Sequence, residues 1–115
     1  MENDDTYCID YSREHISDHK YDHTRCIDDI FTEILNKNTK CMILNLSDNY
    51  IRDCGVEKLF NFINENKKIF EHLQFIDLSI NKITNKSIVF IKKLLEFFPH
   101  LKIDVSHNPI FNKQM

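Results

Sequence analysis

One short pattern of apolar and polar positions recurs along the chain: apolar, polar, apolar, serine, any residue, asparagine, any residue, isoleucine. It is spelled Leu44-Asn45-Leu46-Ser47-Asp48-Asn49-Tyr50-Ile51, then Ile76-Asp77-Leu78-Ser79-Ile80-Asn81-Lys82-Ile83, then Ile103-Asp104-Val105-Ser106-His107-Asn108-Pro109-Ile110. A fourth copy, Ile9-Asp10-Tyr11-Ser12-Arg13-Glu14-His15-Ile16, keeps the apolar positions and the serine but has Glu14 where the others have asparagine. Alternation with period two is the signature of a strand with one buried face. The copies begin at residues 9, 44, 76 and 103, so the intervals of 35, 32 and 27 differ and the loops between copies must absorb the difference.

The second half of each unit changes period. Ile27, Ile30, Phe31 and Ile34 align with Val56, Leu59, Phe60 and Ile63, and these with Ile88, Ile91, Lys92 and Leu95. Steps of three, four and seven predict an amphipathic helix with one apolar stripe. The first unit carries about six extra residues between strand and helix, roughly Ser17 to His23. A fourth helix, by the same spacing, falls near residue 115, so the last unit is expected to be a strand without a helix of its own. No single unit can bury its own stripe, and stacking of neighbours supplies the core.

This pattern resembles the ribonuclease-inhibitor-like branch of the leucine-rich-repeat superfamily, over roughly residues 8 to 110. The resemblance implies one α/β solenoid domain spanning residues 1–115, with four parallel strands on a concave inner side and three helices outside. It also implies that Asn49, Asn81 and Asn108 form a ladder whose amides bond backbone groups of the turns. Glu14 departs from that ladder, and the family's first leucine is Cys41 in the second unit and Leu73 in the third.

Horseshoe proteins bind on the inner face, which makes the residues between the buried strand positions the first candidates. Asp10, Asn45, Asp77 and Asp104 align as one column and Ser12, Ser47, Ser79 and Ser106 as the next. Carboxylates in line suit a basic segment of a protein partner. Phe75 and Ile80 are apolar in flanking columns and are candidate anchors. A third candidate is the stripe Phe90, Leu94 and Phe97, whose counterparts Asp29, Glu33, Asn36 and Lys58, Phe62, Glu65 are mostly polar. With no helix to follow, this stripe is expected to face outward and to be covered by a partner or by Ile110, Phe111 and Met115 folding back.

Composition narrows the chemistry. With 115 residues, 42% of them hydrophobic, the chain suits one domain. A formal net charge of -3 gives no global attraction to nucleic acid or anionic membrane. Local cation-rich spots, Lys67-Lys68 and Lys92-Lys93 with Lys37, Lys40, Lys58 and Lys86, leave phosphate contact within a ribonucleoprotein as an alternative. The acidic start Met1-Glu2-Asn3-Asp4-Asp5 does not read as a signal peptide, and no apolar run is long enough to span a bilayer. The four cysteines form no Cys-x-x-Cys pair and are read as reduced thiols in an intracellular compartment. His15, His19, His23 and Cys26 have zinc-ligand spacing on a continuous helix, but the repeat alignment puts His15 in a strand and turn, so no metal and no cofactor is expected. The single glycine excludes a phosphate-cradling loop, and no nucleophile elbow or metalloprotease helix is present. The expected activity is therefore non-enzymatic binding of another macromolecule, as an accessory subunit of a larger assembly. Ribosome association and regulation of an enzyme partner are the alternatives.

Overall fold

The computed structural model describes residues 8–37 and 39–110; Phe111 and Met115, named above as part of a cap, lie outside the described residues. In chain order the elements are strand β1 (Cys8–Asp10), two short strands β2 (Ile16–Ser17) and β3 (Arg25–Cys26), helix α1 (Ile27–Lys37), β4 (Ile43–Asn45), α2 (Asp53–Glu65) and β5 (Phe75–Asp77). A 3-10 turn (Asn85–Ser87) then leads into α3 (Ile88–Phe97), and β6 (Lys102–Asp104) follows.

Strands β1, β4, β5 and β6 form one parallel sheet in chain order, flanked by three α-helices. Parallel neighbours cannot be joined by a tight hairpin, so each connection returns through a longer crossover. Cys8 pairs with Ile43, Ile43 with Phe75 and Phe75 with Lys102, which sets the four copies of the motif side by side without slip. The unequal intervals are absorbed outside the sheet. In the first unit the extra residues separate β2 from β3, which pair with each other, and Ser17 also bridges Tyr50 of the next unit.

Alternation along the strands decides what is buried. Ile9, Leu44 and Ile76, followed two residues later by Tyr11, Leu46 and Leu78, enter the core, and the residues between them do not. The helices supply the opposing wall with Ile27, Ile30 and Ile34 from α1 and Val56, Leu59 and Ile63 from α2. Phe31 stacks on Phe62 at 4.3 Å between ring centroids, and Phe62 meets Phe70 edge-on at 5.7 Å, joining α1, α2 and the segment after α2. Such pairs add about 0.5–1.5 kcal/mol each beyond the burial of their area.

Two side-chain ladders lock the units together. The Asn49 carbonyl oxygen accepts the backbone N–H of Glu14 and Ile16, Asn81 accepts that of Ile51, and Asn108 that of Ile83. The same amides donate to carbonyls in their own turn and in the preceding unit: Asn49 to Tyr11 and Leu46, Asn81 to Leu46 and Leu78, Asn108 to Leu78 and Val105. Glu14 keeps its backbone place in this scheme while its side chain turns to Arg25.

The second ladder serves the helix starts. Asp18 accepts the Arg52 N–H at 2.8 Å, and Asp53 accepts the Thr84 N–H at 2.9 Å together with the hydroxyls of Thr84 and Ser87. Arg52, at the N-cap of α2, makes no side-chain cap bond of its own, so the carboxylate of the preceding unit does that work. A Cβ on Gly55 would lie 2.2 Å from Asp18 Oδ1 and 2.9 Å from Ile51, so the approach requires a residue without a side chain there.

The third helix corrects the expectation from the alignment. Leu94 is buried, Phe90 lies 5.9 Å from Phe60 of α2, and Phe97 stacks on the same ring at 6.1 Å. The stripe Phe90, Leu94 and Phe97 therefore faces back toward the preceding helix rather than out beyond the last one. Its counterparts in α1 are polar, and among the described residues no helix precedes α1: there Glu33 accepts the Tyr11 hydroxyl and pairs with Arg25. What is uncovered at the end of the stack is the stripe expected to be core. Ile88 and Ile91 are only half-buried and Leu95 is 40% exposed. On the strand side Ile103, Val105 and Ile110 are half-buried, where Ile76, Leu78 and Ile83 are fully buried.

Candidate binding face

Because the helices cover one side of the sheet, the other side presents the residues between the core positions. The register brings Asp10, Asn45, Asp77 and Asp104 into one row across four strands. Each turns one oxygen to its own strand end. Asp10 Oδ1 accepts the Ser12 N–H at 2.9 Å and its hydroxyl at 2.8 Å; Asn45 Oδ1 accepts the Ser47 N–H at 3.0 Å. Asp77 does the same for Ser79 at 3.0 and 2.6 Å, and Asp104 for the Ser106 N–H at 2.9 Å. The row of serines thus has a local role, tying off backbone where the strand leaves the sheet.

These bonds favour the charged form at the two ends of the row. Donation from the Ser12 backbone and then its hydroxyl holds Asp10 below the ordinary carboxylate range, and Ser106 does the same for Asp104. The bonds to Asp10 and Asp77 fall on Oδ1, which leaves their second oxygen to a ligand or to water.

Apolar side chains flank the row on both sides. Ile43 and Phe75 are adjacent in register at the start of the strands, with Ile43 exposed and Phe75 half-buried. At the far end, Arg13, Asp48, Ile80 and His107 occupy one equivalent turn position, and all four have positive φ, between 55° and 59°. Aspartate tolerates that region well, but a β-branched residue there is strained. Ile80 nonetheless sits there with half its surface exposed. Phe75 and Ile80 were legible in the alignment as apolar interruptions; Ile43 was in the same column as Phe75 and was missed as its partner.

The other sequence candidates are placed differently. Leu94 has no surface to offer, and Phe90 and Phe97 meet Phe60, although Phe97 stays 51% exposed. Of the lysines, Lys58 bonds Asp28 and the Asp18 carbonyl, and Lys40 pairs with Glu71. Lys67 lies over the Phe97 ring, Lys93 over Phe60 and Lys37 over Tyr11. The histidine series is not on a helix, since α1 begins only at Ile27; His15 stacks on Tyr50 and His19 meets Tyr21. Among the described residues no group of three or more His, Cys, Asp or Glu side chains is arranged to hold a metal ion.

Cys26 and Cys41 are buried while Cys8 and Cys54 are exposed, and none is in a disulfide. Burial, reinforced by the nearby Cys8 sulfur, pushes the Cys41 thiol up to about 12, so it has no thiolate chemistry near neutrality. No helix among the described residues is long and apolar enough to cross a membrane.

The arrangement is a row of acceptors, three of them carboxylates, between two apolar margins on the side of the sheet away from the helices. Comparison of the chain with protein families, with curated proteins and with solved structures finds no match to any of them.

Proposed function

We propose that this chain is a short leucine-rich-repeat solenoid of the ribonuclease-inhibitor-like type. It acts as a non-enzymatic binding module, holding an extended segment of a partner protein against the open face of its sheet. The solenoid reading rests on the four equivalent strand ends, the asparagine ladder and the crossover through a helix after each of the first three strands. The binding reading rests on one observation above all: the row Asp10, Asn45, Asp77, Asp104 runs across the strands with carboxylates at three of its four places, and those of Asp10 and Asp77 keep one oxygen free. A partner segment with lysine or arginine aligned to the row and apolar residues at its edges matches Ile43 and Phe75 on one side and Ile80 on the other. The engagement of Lys58, Lys40, Lys67 and Lys93 within the chain favours this face over phosphate binding by the helix side.

Replacement of the row by lysine would remove the turn bonds as well as the charge. Asparagine is the cleaner change, because Asn45 already shows that an amide oxygen serves the serine N–H. In a native lysate, tagged wild type is expected to retain a partner that the triple variant Asp10→Asn, Asp77→Asn, Asp104→Asn loses, with the melting temperature unchanged. Equal retention by the two proteins removes this face from consideration. Survival of the complex only at low salt, together with its loss on nuclease treatment, points to a ribonucleoprotein.

A further inference from the structure

We propose that the open edge of the sheet, strand β6, pairs antiparallel with β6 of a second copy of this chain. Among the described residues no strand lies beyond β6. The Lys102 N–H donates to Gln74 and the Asp104 carbonyl accepts from Leu78, so the backbone groups of residues 102 and 104 face inward to β5. By alternation the Leu101 carbonyl, both groups of Ile103 and the Val105 N–H face outward, while the Leu101 N–H is held by Phe98 and the Val105 carbonyl by Asn108. The equivalents of Val105 in the other units, Leu46 and Leu78, spend their N–H on the next strand, as donors to Asp77 and Asp104. At β6 the same donor has no strand to meet among the described residues.

The identity of the occupant follows from the sequence of the edge itself. Lys102-Ile103-Asp104 carries opposite charges on either side of an apolar centre, and it is the one strand of the four that does: Cys8-Ile9-Asp10, Ile43-Leu44-Asn45 and Phe75-Ile76-Asp77 carry no cation. A two-fold axis through Ile103 and normal to the sheet places Lys102 opposite Asp104 of the other copy, twice. Among the described residues neither side chain forms a salt bridge within its own chain, although His107 acts on Asp104 from nearby, and both lie on the open face. The same axis sets Ile103 against its own copy and Leu101 against Val105. These are the outward-facing residues, so they form the hydrogen-bonded pairs: Ile103 exchanges N–H and carbonyl with its counterpart, and the Val105 N–H donates to the Leu101 carbonyl. Lys102 and Asp104 then fall in the non-hydrogen-bonded pair, where side chains approach most closely, with Cα atoms about 4.5 Å apart. Charge, apolar matching and backbone direction agree in this one register. On the helix side the pairing also brings the half-buried Ile103 and Val105 of each copy together. The proposal shares Asp104 with the row on the open face, but its test reads association of the chain with itself and not retention of a partner, so the two fail separately.

The association state of the full chain tests it. Sedimentation velocity from low micromolar to several hundred micromolar is expected to show a monomer–dimer equilibrium without larger species, since an isologous edge closes on itself. Lys102→Asp sets like charges opposite each other and is expected to raise the dimer dissociation constant about tenfold or more. Lys102 is exposed and its own chain uses only its backbone, so this variant keeps its fold. Asp104→Lys is expected to do the same, and an equimolar mixture of the two variants is expected to dimerise again because each supplies the charges the other lacks. A wild-type chain that is monomeric throughout overturns the proposal, whether its own residues or another protein cover the edge. So does dimerisation untouched by Lys102→Asp, and so does a folded pair of variants that does not recover association on mixing.

Discussion

The side-chain oxygen of Asn81 accepts the backbone N–H of Ile51 at 2.9 Å, across two units of the stack, with both residues buried. Its amide nitrogen at the same time serves the carbonyls of Leu46 and Leu78. Truncation leaves buried backbone groups without partners, each costing about 1–3 kcal/mol. Asn81→Ala is therefore expected to lower the unfolding free energy by about 3 kcal/mol in urea titration. Asn108→Ala, whose contacts lie at the open end and are partly exposed, is expected to cost less. Equal losses at the two positions would show that burial does not set the cost.

Gly55 owes its place to Asp18. The carboxylate that accepts the Arg52 N–H stands where a Cβ would be, and Ile51 crowds the same spot. Gly55→Ala, although favourable for an isolated helix, is expected to destabilise the protein by about 1–3 kcal/mol through the displaced carboxylate and side chain. A thermal melt of the variant decides between the two effects. A gain in melting temperature would mean that Asp18 moves aside without loss.

Asp53 makes stability depend on acid. Burial raises its pKa, but donation from Ser87 and Thr84 outweighs burial and holds it below the ordinary 3.8. A carboxyl depressed in the folded state stabilises in full above its unfolded value and ceases to do so as the pH falls through the folded one. The gap in melting temperature between wild type and Asp53→Asn is therefore expected to be constant above about pH 5 and to narrow steadily below about pH 4. A gap that stays constant to the lowest pH at which both proteins fold would deny the carboxylate this role.

Ile80 holds a left-handed backbone, φ 55°, with a β-branched and half-exposed side chain. The conformation costs an L-residue about 1–2 kcal/mol, and little burial offsets it. Ile80→Asn is expected to raise stability by about 1 kcal/mol while weakening retention of the partner. If the variant gains stability and binds as before, Ile80 is not an anchor; if it loses stability, the side chain is held by packing.

The strand positions were legible because a period of two, repeated four times, leaves no competing reading, and the register followed once the copies were aligned. The direction of α3 was not. Phe90, Leu94 and Phe97 looked anomalous beside Asp29, Glu33 and Asn36, but the comparison treated all helices as having the same neighbours. The stripe faces the preceding helix: in the third unit it meets Phe60, whereas in the first no described helix precedes it and Glu33 turns to Tyr11 and Arg25. Asp18 and Asp53 were also out of sight, since a carboxylate two residues past the motif's isoleucine has no signal of its own in one sequence. Gly55 was the available hint: a lone glycine in the first turn of a helix marks a close approach.

The asparagine ladder runs one way. Each amide reaches from its own turn to the turn before it, never to the one after, so every unit is fastened by its successor. A growing chain made from the N-terminus inherits this direction: the turn at Glu14–Ile16 stays unfastened until Asn49 has been made, and that at Ile51 until Asn81 has. Damage propagates with the same sense. Removing the last unit takes Asn108 from Ile83 and loosens a turn that is itself intact, whereas removing the first takes no ladder amide from the units that remain.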